Sequence, residues 1–208
     1  VLRHDGECFA ERDLMRRGHA EALVPMMARV MSEAAIGFDE LDRIAVTTGP
    51  CTFTGARVGV SAALGAALAH NIDIVTYSSL TCITRAAHDA LGPIADQYDG
   101  IIVARDARRD SVYWELLDNA SLTSEMPVLL SLADARQRLA AEQSAGRQLI
   151  GMGSGIVLLD AGSDTLTPLA TALPPEAHLP EGIEEPDARY MLIDAATRKP
   201  DSNPTPLY

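Results

Sequence analysis

Three stretches of this chain carry residue types whose spacing could support chemistry. The first is Thr48-Gly49-Pro50-Cys51-Thr52-Phe53-Thr54-Gly55-Ala56-Arg57-Val58-Gly59, which joins an apolar run, Ile44 to Thr47, to a helix. Free backbone N–H groups at a helix start can bind an anion, so Gly49, Thr52 and Thr54 mark a candidate anion-binding turn. A P-loop is excluded, because no Gly-Lys-Ser/Thr closes the motif. A tight strand-to-helix turn with no ligand is the other reading.

The second stretch is Gly151-Met152-Gly153-Ser154-Gly155. Ile156 stands where G-x-G-x-x-G needs its third glycine, and the run is not a nucleophile elbow either. A nucleotide-proximal turn and a plain turn are the two readings. The third is Arg105-Asp106-Ala107-Arg108-Arg109-Asp110. Its two carboxylates could act as a pair, but three arginines flank them, so the expectation is a mutually neutralised, solvated loop. His19 opens a helix, where it is more often a surface residue than a catalyst. No nucleophile, base and orienting group fall into a recognisable set.

Composition narrows the classes further. Net charge is −12 and Lys199 is the only lysine, whereas phosphate gripping needs clustered cations. Nucleic acid held by this chain alone is therefore not expected. Cys8, Cys51 and Cys82 lack metal-ligand spacing, and the five histidines form no H-x-x-x-H pattern. No cofactor and no metal are expected. No apolar run approaches the roughly 20 residues of a membrane span, and no signal peptide opens the chain, so a cytoplasmic location is expected.

The elements that must position these residues follow from periodicity. Val1 to Leu14 reads as a hairpin turning at Asp5-Gly6. A helix runs from Gly18 and His19 to about Ala35, with Leu23, Met26, Met27, Val30 and Met31 at helical spacing. Arg43 to Thr48 and Asp73 to Tyr77 are strands. Between them lies a helix N-capped by Thr54 and ended near Asn71. Gly55, Gly59, Ala63 and Ala67 recur on it every fourth residue, so one face is almost bare backbone. Such a face lets another element come very close, either the helix's own sheet or a helix of a partner. Ser78 or Ser79 starts a further helix to Leu91.

Strands at Ile101 to Ala104, Val112 to Leu117, Val128 to Leu130 and Gln148 to Met152 follow, with a helix from Ser131 to about Ala145. Residues 161–186 read as irregular. A last helix spans Asp187 to about Arg198, and Pro200 to Tyr208 reads as extended. Two α/β lobes result, at 1–96 with 187–198 and at 97–186.

The first motif resembles the Gly-Pro-Gly-Ser-Phe-Thr-Gly-Leu-Arg-Ile-Gly signature of the TsaB (YeaZ) family. His19-Ala20-Glu21-Ala22-Leu23-Val24-Pro25, Asp106-Ala107-Arg108-Arg109-Asp110-Ser111-Val112-Tyr113 and Pro206-Leu207-Tyr208 are similar to three further family segments, in order and spacing. The resemblance implies two RNase H-like lobes of the actin/Hsp70/sugar-kinase (ASKHA) superfamily. It implies a non-catalytic subunit of the complex that transfers threonylcarbamoyl to adenosine 37 of ANN-decoding tRNAs. The implied partners are TsaD, the catalytic paralogue, TsaE, an ATPase, and a second copy of the chain; tRNA is met only through TsaD.

In that family the lobe holding the small-residue helix forms the partner contact. His19, Leu23, Met26, Met27, Gly55, Gly59, Ala63 and Ala67 are accordingly the expected interface. Two departures stand out. Cys51 replaces a glycine, which would alter the turn if that position needs positive φ. The family's opening strand, with its Asp-Thr-Ser, has no match before Val1, so the sequence is expected to be a piece cut short at its start and after Tyr208. The alternatives are an ATP-dependent kinase-like enzyme of the same superfamily, which needs an adenosine pocket near Gly151–Gly155, and a peptidase, for which no residue set is present.

Overall fold

The computed structural model describes residues 1–15, 17–124, 126–159, 166–173 and 181–206, with the backbone alone at Phe53, Ile193 and Asp194. Leu207 and Tyr208, and most of the stretch from 160 to 180, lie outside the described residues. Two compact units emerge, Val1–Cys82 with Asp187–Tyr208 and Ile83–Pro186. The first division therefore falls inside a helix, and the expected boundary near residue 96 is corrected.

The first unit opens with a small hairpin, bridged at Leu2 and Cys8, with Gly6 at φ 88° in its turn. Helix α1 (His19–Glu33) follows, then strand β1 (Arg43–Gly49), helix α2 (Phe53–His70) and strand β2 (Asp73–Ser78). Strands β1 and β2 pair in parallel, in register from Arg43 and Asp73 to Thr47 and Tyr77. A parallel pair needs a crossover, and α2 supplies it. Val46 and Ile74 from the strands pack with Val60, Ala63 and Ala67 of α2. The helix ends on Asn71, whose φ of 55° is tolerated by asparagine.

Helix α3 (Ser79–Leu91) carries the chain onward. Ser78 Oγ accepts from Leu80 N–H at 3.0 Å, as the sequence suggested for its start. The α3 residues divide between the units for a visible reason. Ser79 Oγ donates to the Pro50 carbonyl and Cys82 packs beside Tyr77, whereas Thr84 Oγ1 donates to Glu115, fully buried in the second unit.

That second unit is a mixed sheet. Its strands are β3 (Gly100–Arg108), β4 (Ser111–Asp118), β5 (Thr123–Ser124), β6 (Val128–Ser131), β7 (Leu149–Met152) and β8 (Leu166–Pro168). The order is β5-β4-β3-β7-β8, with β6 also on β4. Helix α4 (Leu132–Ser144) is capped by Ser131, whose Oγ accepts from Asp134 N–H at 3.1 Å. Short helices α5 (Ile156–Leu159) and α6 (Leu169–Ala172) flank β8. Trp114, Leu116, Ile102, Leu139, Leu149 and Leu159 share one core. The expectation of an irregular stretch at 161–186 fails at β8 and α6.

The chain then returns to the first unit. The helix expected over 187–198 is instead a 3-10 turn, Ala188–Met191, and the one-turn helix α7 (Leu192–Ala195). Asp187 caps it, accepting from Arg189 N–H at 2.9 Å while gripping the Arg189 guanidinium with both carboxylate oxygens. Burial pushes this carboxyl up, but the Arg189 hydrogen bonds and charge outweigh it and hold it below the usual carboxylate value. The stabilisation is thus present above the unfolded value of about 4 and is lost as pH falls through the lower folded value. In urea melts, the stability advantage of wild type over Asp187→Ala should shrink steadily below about pH 4. A constant difference down to pH 2 would remove the linkage.

Candidate partner-binding face and signature turn

The start of the signature motif, Thr48 to Pro50, folds into a buried turn closed on the sheet. Gly49 ends β1 at φ 117°, a region open to glycine, and the Gly49–Pro50 peptide is cis. Two side chains fix the turn to β2 and α3: Thr48 Oγ1 donates to the Tyr77 carbonyl at 3.3 Å, and Ser79 Oγ to the Pro50 carbonyl at 2.6 Å. Cys51 is exposed and does not have positive φ, so the loss of a glycine there costs no backbone strain.

The N-cap of α2 is Thr52, not Thr54. Thr52 is extended, and its Oγ1 accepts from Gly55 N–H at 3.2 Å while its carbonyl accepts from Ala56 N–H at 3.0 Å. Thr54 sits exposed in the first turn. Of the candidate anion site, Gly49 is thus part of the buried turn and Thr52 already engages one of the helix-start N–H groups.

The later half of the small-residue stripe faces inward, while Gly55 and Gly59 are half-buried. Ala63 and Ala67 are 5% and 7% exposed and belong to the core on β1 and β2. A Cβ added at Gly59 would lie 4.0 Å from Val46 Cγ2, and one at Gly55 would lie 2.8 Å from the capping Thr52 Oγ1. The expected partner contact at Ala63 and Ala67 is corrected by this burial. The small side chains bring α2 close to its own sheet, the first of the two readings that the spacing left open.

What α2 turns outward is different and apolar. Leu64 and Leu68 are 43% and 88% exposed, and Val24 on α1 is 62% exposed. Leu23, Met26 and Met27 are half-buried on α1, and His19 is exposed. Helix α1 packs on α2. Sequence reading missed Leu64 and Leu68, although their i, i+4 spacing on a face away from Ala63 was available.

In the second unit, the charged loop is neutralised locally. Arg108 pairs with Asp106 at 4.0 Å and Arg105 with Glu185 at 3.4 Å. Asp106 Oδ1 accepts from Arg108 N–H at 2.7 Å, and Arg108, Arg109 and Asp110 all have positive φ. Ser154 Oγ accepts from Asp106 N–H at 3.1 Å. The glycine run closes on β3: a Cβ at Gly153 would meet the Ala104 carbonyl oxygen at 2.5 Å, and one at Gly155 the Ala104 carbonyl carbon at 3.0 Å. Gly155 N–H donates to that same Ala104 carbonyl at 2.9 Å. The run is a backbone-to-backbone joint.

Among the described residues, no three His, Cys, Asp or Glu side chains gather as a metal site, and no helix is long and apolar enough to cross a membrane.

Comparison with known proteins places this geometry. The family model for TsaD, tRNA N6-adenosine threonylcarbamoyltransferase, matches residues 13–125, more than half of the chain. The tRNA threonylcarbamoyladenosine biosynthesis protein TsaB of Haemophilus influenzae is 28% identical over 125 residues, covering 60% of this chain and 51% of that protein. An uncharacterized protein of Mycobacterium tuberculosis is 36% identical over 115 residues, covering 55% of this chain and 50% of its own length. The chain thus matches about half the length of these curated relatives. YeaZ from Pseudomonas aeruginosa superposes with a TM-score of 0.71 at 21% identity, over 99% of this chain and 91% of that one. That likeness shows a mixed α/β fold of the YeaZ type, consistent with an RNase H-like, ASKHA-type architecture.

Proposed function

This chain belongs to the TsaD family of tRNA N6-adenosine threonylcarbamoyltransferases, on its TsaB (YeaZ) side, and we propose that it serves in the synthesis of threonylcarbamoyladenosine in tRNA, in the cytoplasm, as a non-catalytic subunit that pairs with TsaD. The observation that carries the reading is the match over residues 13–125, which takes in α1, the signature turn and α2 together. Two features of the molecule support a supporting role. The glycine run, the segment nearest to a nucleotide loop in type, has its backbone closed on Ala104. Its one hydroxyl, on Ser154, accepts a hydrogen bond from Asp106 N–H.

The charge balance supports the same division of labour. A chain of net charge −12 repels phosphate, so in this reading TsaD holds the tRNA. Association with TsaD, or with a second copy, then uses the outward apolar side chains of the first unit, Val24, Leu64 and Leu68, with Met26 and Met27 beside them on α1. TsaE joins the assembly as its ATPase.

Threonylcarbamoyl transfer to tRNA should be measured with purified TsaD, TsaE and the synthase that makes threonylcarbamoyl-AMP, with and without the full-length protein. Transfer should fall at least tenfold without it, and the protein alone should neither hydrolyse ATP nor retain tRNA. Unaided transfer, with ATP turnover by the lone chain, would replace this reading with the kinase-like one.

A further inference from the structure

The β1–β2 sheet of the first unit has two faces, and they are covered in different ways. One carries α2, with Val46, Val60, Ala63, Ala67 and Ile74 in a shared core. The other carries the returning segment, where Met191 and Ala195 pack on Val75, Tyr77 and Cys82. This second cover is thin. Its regular structure is one 3-10 turn and the four-residue α7, too short to hold itself folded.

Beside that apolar contact, its described residues hold on through discrete polar anchors. Arg43 Nη1, on β1, donates to the Ala195 carbonyl at 3.0 Å and to the Arg198 carbonyl. Asp201 N–H donates to the Ile74 carbonyl at 2.8 Å, and Thr76 Oγ1 donates to Asp201 Oδ2 at 3.0 Å. The Arg198 guanidinium lies 4.3 Å from the centre of the Tyr77 ring. We propose that residues 187–203 form a detachable strap, which leaves the β1–β2 face as one unit while α2 and both strands stay folded, with Arg43 as its buckle.

Two physical arguments carry this. Segments with little buried apolar surface and few backbone hydrogen bonds open at a lower free energy than the core they cover. And the anchors at Ala195, Arg198 and Asp201 reach β1 and β2, whereas the α2 face has its own apolar core, which holds no strap residue. Opening uncovers Val75, Tyr77 and Cys82, an apolar strip that is otherwise sealed.

Cys82 makes the opening measurable. It is buried in the strap-covered cluster, while Cys8 and Cys51 are exposed. In full-length protein carrying Cys8→Ser and Cys51→Ser, the reaction of Cys82 with a disulfide reagent reports the open fraction. A second protein, with all three cysteines changed to serine and Ala63→Cys, reports exposure of the opposite, α2-covered face.

The expected result is that Cys82 reacts at least tenfold faster than the thiol at 63, with a rate that hardly rises in low urea. Arg43→Ala should raise the Cys82 rate about tenfold, since hydrogen bonds from a charged donor are lost, and leave the thiol at 63 unchanged. Should Arg43→Ala not fold, Thr76→Val removes a different anchor and should raise the Cys82 rate alone by about threefold. Equal rates at both positions, rising together in urea and together in either variant, would mean the face opens only with the whole unit and would overturn the strap.

Discussion

Ala63→Leu should cost about 2–3 kcal/mol of stability, read as a lower urea midpoint for the first unit. The cause is geometric. Ala63 is buried among Val46, Val60, Ala67 and Ile74, where α2 lies against β1 and β2. A leucine adds three heavy atoms to a space already filled by the side chains of Val46, Val60 and Ile74. Close-packed interiors do not absorb that volume without off-rotamer side chains or a shift of the helix. The paired variant Leu64→Asp with Leu68→Asp should behave differently. Both side chains are exposed, so the cost should be limited to lost helix propensity and like-charge repulsion, about 1–2 kcal/mol for the pair, without overpacking of the core. Association with TsaD should weaken, as pull-down or sedimentation would show. Were Ala63→Leu to leave the midpoint unchanged and abolish only pairing, the stripe would belong to the partner contact, and its inward packing on β1 and β2 would be wrong.

The contrast between these variants shows what the sequence could and could not reveal. The spacing of Gly55, Gly59, Ala63 and Ala67 places them on one face by helical geometry alone. It does not say which neighbour that face meets. Amphipathicity normally settles such a question, but the polar stripe of α2, Thr54, Arg57 and Ser61, stops halfway along the helix, and the same side continues with Leu64 and Leu68. A polar face that ends halfway labels the inside only in part. Elsewhere local chemistry was a sufficient guide. Asn71 closes α2 in the left-handed region, and Ser131 caps α4. Both are short-range effects of one side chain on its own backbone.

The errors share a cause as well. Thr52 and Thr54 can each cap a helix, and only the path of the chain out of Gly49 selects Thr52. Strand β8 and helix α6 span three and four residues, less than one repeat of any hydrophobic period. The polar linker near 95–99 suggests a lobe boundary there, whereas the contacts of Ser79, Cys82 and Thr84 divide within α3. Such divisions depend on tertiary partners, which no local window contains.

The glycine run presents the same ambiguity in a form that one substitution resolves. Gly153→Ala should destabilise the second unit by about 3 kcal/mol, followed through the fluorescence of Trp114, the only tryptophan. Two independent costs add. Gly153 has φ 100°, where an L side chain is strained whatever the space around it. Its new Cβ would also sit 2.5 Å from the Ala104 carbonyl oxygen, which is strand backbone and cannot rotate aside. That carbonyl already accepts from Gly155 N–H, so retreat would break a bond joining this turn to β3. Ser154→Ala, which removes one exposed side-chain acceptor for Asp106 N–H, should cost about 1 kcal/mol or less. A joint yields this ranking, with loss of function following loss of fold. A nucleotide loop yields another, in which Gly153→Ala keeps its midpoint and loses only ligand-dependent stabilisation by ATP. The 2.5 Å approach argues for the first, because a cradle for phosphate needs its glycine to face an empty space, and this one faces a strand.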